Sequence, residues 1–156
     1  MIGLEPGEFA GDCEDVRGDI VDRGDIDLMV RNFYRDAAMD DVLGPVFAAA
    51  HVNWNVHVAT LIDFWAWQLL GEPGYEGQPL RAHEPIHART PLSHAMYERW
   101  LELFCETVDE SFRGPRAEVA KGRGRKMAAA MERLLSGVSA SGAEPVDPMW
   151  RRTDGT

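Results

Sequence analysis

Apolar positions recur at helical spacing along most of this chain, and nowhere do they alternate long enough to suggest a strand. Asp22 stands where a helix N-cap is wanted, and Asp25 three residues on completes an approximate capping box. Beyond it Ile26, Met29, Val30, Phe33, Tyr34 and Ala37 share one helical face. Leu43-Gly44-Pro45 breaks that run, and a short helical piece follows through Val46, Phe47 and the alanines. From Trp54 to Leu70 the helical period returns, with His57, Leu61, Phe64, Trp65 and Gln68 on one face. Pro73-Gly74 and Gly77 then impose an irregular loop.

Thr90-Pro91 reads as the next helix start, Thr as cap and Pro in the first turn. The helix it opens should bury Tyr97, Trp100, Leu101, Phe104, Val108 and Phe112, and Gly114-Pro115 should end it. A last helix, about residues 118–135, carries Val119, Met127, Met131, Leu134 and Leu135. Gly122 and Gly124 inside it each cost about 1 kcal/mol relative to Ala, so this helix either begins later or packs closely there. The pattern predicts an all-α domain over 21–136, between a flexible acidic leader (1–20) and a disordered tail (137–156). No internal repeat is visible.

Composition narrows the function classes. The chain has 156 residues, enough for one domain with a real core, and its 45% apolar content is ordinary for a globular protein. A net charge of −10 argues against a nucleic-acid surface and against an anionic membrane as partner. No stretch approaches the roughly 20 apolar residues that span a bilayer. The first residues lack the basic start and apolar run of a secretory signal, which suggests a cytoplasmic protein. Cys13 lies in a polar stretch and Cys105 in an apolar helical one, against a structural disulfide. Cys105, beside Phe104, reads as a small core residue rather than a nucleophile.

Candidate chemistry concentrates on a few side chains. His57 by itself is a core-edge histidine, and His83, after the glycine-rich loop, a surface or capping one. Yet two histidines on different elements, with a wall of aromatics between them, suit a flat metal-centred cofactor held from both sides. Tyr34 and Trp100 are core aromatics by default, each with a polar tip that wants a partner. His83 and His87 are four apart, as in a helical metal pair, but Pro85 between them disfavours a regular helix and no third ligand is apparent. His51, His87 and His94 read as solvent-facing, and the basic run from Arg113 to Lys126 as a solvated helix face.

Several segments together resemble the group III truncated haemoglobins, compact haem proteins of bacteria. They are Asn32-Phe33-Tyr34, the stretch from Asp40 to Phe47, Trp54-Asn55-Val56-His57, Tyr75-x-Gly77-x-Pro79-Leu80-x-x-His83, and Trp100 within Glu98–Phe104. The resemblance spans about residues 20–135. The acidic leader, the tail and the link Glu84–Arg89 depart from it.

The resemblance implies a shortened globin, its helices stacked two over two around haem b. His83 would be the proximal iron ligand, and Tyr34, His57 and Trp100 the distal residues that stabilise a bound ligand. Phe33, Leu61, Phe64 and Trp65 would supply apolar walls. Arg81 would pair with a haem propionate, and His57 could supply a sixth iron ligand. The implied partners are O2, NO and other diatomic molecules, with an external reductase. Three donors around a ligand that gains negative charge suit nitric oxide dioxygenase or peroxidase-like activity better than oxygen carriage. The alternatives are a gas or redox sensor or electron-transfer protein with six-coordinate iron, and a helical interaction module whose histidines are incidental.

Overall fold

Local signals set the helix ends, and long-range contacts then correct several of them. A computed structural model describes residues 16–77 and 79–136, without the side chains of residues 79–81 and 89. Among the described residues all regular structure is helical. Helix α1 (Arg23–Met39) opens with the expected capping box, in which Asp22 accepts from the N–H of Asp25 and Asp25 accepts in return. After α1 the Asp40 carboxylate accepts from the N–H groups of Val42 and Leu43 (3.0 and 3.1 Å) and from Arg99 Nε at 2.7 Å. Burial works to raise the pKa of Asp40, but these hydrogen bonds outweigh it and hold the carboxyl below its usual range. That ionised corner turns the chain into α2 (Gly44–Ala50), with Pro45 in its first turn.

Helix α3 (Trp54–Leu70) is capped by the Asn53 side chain and ends on Gly71, whose φ of 68° is cheap for glycine alone. Helix α4 (Pro79–Arg89) runs through Pro85, so the proline that argued against a regular helix sits inside one. Thr90-Pro91 does not start the next helix. The N–H of Thr90 donates to the Ile86 carbonyl and that of Leu92 to His87 Nδ1, so this segment finishes α4 instead. Half-buried His87 is thereby a capping residue rather than a solvent-facing one. Helix α5 (His94–Ser111) starts on a Ser93 cap.

Helix α6 (Pro115–Leu135) begins three residues before the expected Glu118. Its cap comes from far away in the chain: the Asp19 carboxylate accepts from Arg116 N and Ala117 N at 3.0 and 2.9 Å. The N–H of Arg113 donates to the Gly18 carbonyl, and Ile20 is fully buried. Residues 18–20, expected at the end of a flexible leader, are therefore docked on the fold. Residues 1–15 and 137–156 lie outside the described residues.

The helices pack as α1 against α3 and α5, and α5 against α6, with α2 on α1 and α4 resting on α6. Period alone underestimated the small and polar members of this core. Ala117, Ala120 and Ala128 bury on α6, while Val119 is exposed. Lys121, expected on a solvated face, is buried and paired with Asp109 and Glu118 at 2.7 and 2.8 Å. No helix of the described residues is long and apolar enough to cross a membrane.

The two α6 glycines separate clearly. A Cβ at Gly122 would meet open space, whereas one at Gly124 would stand 2.9 Å from Phe104 Cδ1. Gly122→Ala should raise stability by about 0.4–1 kcal/mol. Gly124→Ala should lower it by about 1–3 kcal/mol, because a displaced Phe104 ring outweighs the propensity gain. Urea unfolding of the two variants checks the opposite signs.

Candidate functional site

Three helices bring one aromatic cluster together, and its polar tips lie at one edge. Phe33 and Tyr34 are adjacent on α1, so they leave the helix in different directions, Phe33 into the core and Tyr34 to its border. Phe33 meets Tyr34, Trp100 and Phe104 edge-on, with ring centroids 4.8, 5.6 and 5.6 Å apart. One turn apart on α5, Trp100 and Phe104 stack at 5.2 Å, and Phe104 stacks in turn on Trp65 of α3 at 5.0 Å. Edge-to-face and stacked pairs of this kind fix ring orientation as well as burying area.

At the border of this cluster the Trp100 indole N–H donates to the Tyr34 hydroxyl. The tyrosine thus accepts one hydrogen bond and keeps its own O–H to give. Burial pushes the Tyr34 phenol well above its usual pKa, and the bond from Trp100 only partly offsets this. His57 lies edge-on to Tyr34 at 4.9 Å, and among the described residues its buried Nε2 has no hydrogen-bond partner. Burial, and secondly the charge of His83, press the His57 pKa down to about 4. His57 is accordingly a neutral imidazole near pH 7, with one ring nitrogen uncommitted.

The influence of His83 on that pKa shows that imidazoles from α3 and α4 lie within electrostatic reach of one another. His83 is half-buried on α4, the helix that rests on α6 rather than joining the aromatic core. A small cavity of about 120 Å³ opens between α2 and α4, lined by Ala49, Ala50, Pro85, Ile86 and Thr90. None of the candidate residues lines it. Among the described residues no group of three or more His, Cys, Asp or Glu side chains could hold a metal ion. Imidazoles on two separate helices, that of His57 bordered by Tyr34 and Trp54, are the side chains that could hold a flat metal-centred cofactor.

Of the sequence candidates, Phe33, Tyr34, His57 and Trp100 come together directly, and Trp65 joins them through Phe104. Leu61 is partly buried against the same core. Phe64 belongs to a neighbouring group with Tyr75 and Trp67, at 5.1 and 6.4 Å, and is tied to Trp65 at 5.2 Å. The Arg81 side chain lies outside the described residues.

Phe47 and Trp54, which enter the sequence reading only as members of the matching segments, lie against Tyr34 at 5.9 and 6.0 Å. Trp54 is three residues before His57, a spacing that puts both on one helix face, and their rings meet edge-on at 6.1 Å. The half-buried Cys105 thiol is pushed up by burial, consistent with packing rather than nucleophilic use.

The tyrosines supply a pH test. Burial raises Tyr75 to about 12, and burial with the nearby Glu132 charge raises Tyr97 to about 12. With Tyr34 also raised, the unfolded chain releases phenolic protons first, so stability should fall as pH rises above the ordinary value of 10.0. Absorbance at the tyrosinate band should stay flat through that value and rise together with unfolding. Early, independent ionisation of all the tyrosines would contradict the burial described.

No family model matches the chain. It is 29% identical over 119 residues to a group 3 truncated haemoglobin of Campylobacter jejuni, a match covering 74% of this chain and 91% of that protein. The crystal structure of a group III truncated haemoglobin from Campylobacter jejuni superimposes with a TM-score of 0.68 at 29% identity. That match covers 76% of this chain and 94% of the other. By sequence and by fold together, this chain is similar to the group III truncated haemoglobins, and its described residues share their all-helical truncated-globin fold.

Proposed function

We propose that this protein binds haem b between α3 and α4, takes O2, NO or another diatomic ligand at the iron, and works in nitric oxide dioxygenation or peroxide chemistry. The observation that carries the reading is the pairing of Tyr34, whose hydroxyl accepts from Trp100, with His57, whose buried Nε2 has no partner. Haem, when bound, would supply an iron centre that takes up a diatomic ligand and exchanges electrons.

The chain's own residues do the rest. His83 would hold the haem iron, and a neutral imidazole is the form that ligates. Trp100 fixes the Tyr34 hydroxyl, so the phenolic proton is held ready for a ligand atom that gains negative charge. His57 adds a second donor from α3. Phe33 and Trp65 exclude water from these donors, where each charge-assisted hydrogen bond contributes about 1.5–3 kcal/mol. Two such bonds slow ligand release far below what oxygen carriage needs. Leu61 and Phe64 extend the apolar wall, and Arg81 pairs with a haem propionate. In this reading the helices stack two over two around the cofactor, and an external reductase in the cytoplasm supplies electrons.

Rapid mixing of the reduced, haem-loaded, oxygen-equilibrated protein with NO tests the reaction. Stoichiometric nitrate formed in a fast phase is expected, and a slow reaction or no nitrate would sink it. The uncommitted Nε2 favours a second reading, in which His57 ligates the iron when no gas is present and the protein is a sensor or electron carrier. His57→Leu should then convert a six-coordinate ligand-free spectrum to a five-coordinate one. An unchanged spectrum removes that reading.

A further inference from the structure

The aromatic contacts do not stop at the distal residues. From the hydrogen-bonded Tyr34–Trp100 pair they run through Phe104 to Trp65, where both stacks are nearly parallel at 7° and 17°. From Trp65 they continue to Phe64 at 5.2 Å, to Tyr75 at 5.1 Å, and to Trp67, which stacks on Tyr75 at 5.8 Å and 25°. Trp67 is 47% exposed, whereas Trp65 is 3% exposed.

The order of residue types along this path is informative. Indole and phenol rings give up an electron far more readily than a phenyl ring. Here the oxidisable stations, Trp100, Trp65 and the Trp67–Tyr75 pair, are each separated from the next by a single phenylalanine in ring contact with both. The end of the path is a thermodynamic sink. An oxidised indole is stabilised by releasing its N–H proton, which exposed Trp67 can lose to water. The Tyr75 phenol, raised to about 12 by burial, holds its proton more tightly. Core packing accounts for Phe104 and Trp65, but not for an exposed tryptophan laid on a tyrosine at the far end.

We infer that this ladder carries oxidising equivalents from the distal site to Trp67, making Trp67 a second, surface site where small phenols are oxidised at the expense of hydrogen peroxide. The inference rests on the peroxide branch of the function proposed above. The reaction balances as one peroxide taking up two electrons and two protons to give two waters, while two phenols each lose one electron and one proton to give two phenoxyl radicals. Within the chain, Trp67 sends an electron inward and its indole proton to solvent. A phenol then restores both.

The test uses the full-length, haem-loaded protein with limiting hydrogen peroxide and a nitroso spin trap, the adducts being located by peptide mass spectrometry. The expected adduct is on Trp67. Trp67→Phe, which keeps a ring on Tyr75, should lose the adduct and cut guaiacol oxidation several-fold per peroxide consumed. Trp65→Phe removes the middle station and should lower the Trp67 adduct several-fold on the same scale. Trp54, 37% exposed and 6.0 Å from Tyr34, is the competing exit. Adducts at Trp54 with none at Trp67, or a Trp67 adduct indifferent to Trp65→Phe, would overturn the ladder. If the loaded protein consumes no peroxide, the peroxide reading falls with it. If peroxide is consumed without a Trp67 adduct, the ladder alone falls.

Discussion

Phe104 lies face to face between Trp65 and Trp100, with Phe33 edge-on to it, and this four-ring contact joins α1, α3 and α5. Much else in the molecule depends on it. Gly124 lets α6 approach the Phe104 ring, so the α5–α6 contact needs a position without a side chain. The stack also orients the Trp100 indole, and through it the Tyr34 hydroxyl. Hydrophobic burial and polar geometry are thus the same contact here: the rings that form the core aim the donors at its edge. Donors held by packing need little reorganisation when charge develops beside them.

Against that rigid wall stands α4. It carries His83 and a proline, rests on α6, and takes no part in the aromatic core. The division matches the proposed role, with a preorganised distal wall on one side and a separately docked helix carrying His83 on the other. His57 and His83 sense each other electrostatically although they belong to the two different sides. The buried Nε2 of His57, unpartnered among the described residues, is the sort of polar atom that folded proteins rarely leave without a ligand, water or ion to satisfy it.

Much of this was legible in the sequence, and the misses have physical causes. Strong local signals carried through: the Asp22–Asp25 box, the stop at Gly71, and the apolar faces of α1, α3 and α5. Phe33, Tyr34, His57 and Trp100 were gathered by resemblance and are gathered again by ring contact. What failed was long-range. Nothing near Pro115 says that Asp19 will cap α6, because that cap spans nearly the whole domain. Thr90-Pro91 looked like a helix start because propensity cannot see that α4 persists through Pro85 and uses Thr90 and His87 to close. Lys121 read as solvated because its partners Asp109 and Glu118 identify themselves only in space or as one helical neighbour among many.

In the proposed function, His83 and the aromatic wall hold a haem between α3 and α4. Hemin titration of the purified protein and of His83→Ala, followed by absorption after reduction, is the decisive measurement. The wild type should saturate at one hemin per chain, and His83→Ala should lose the histidine-ligated spectrum and regain it on addition of imidazole. A wild type that takes up no hemin, or a His83→Ala variant with an unchanged reduced spectrum, would contradict the proposed function.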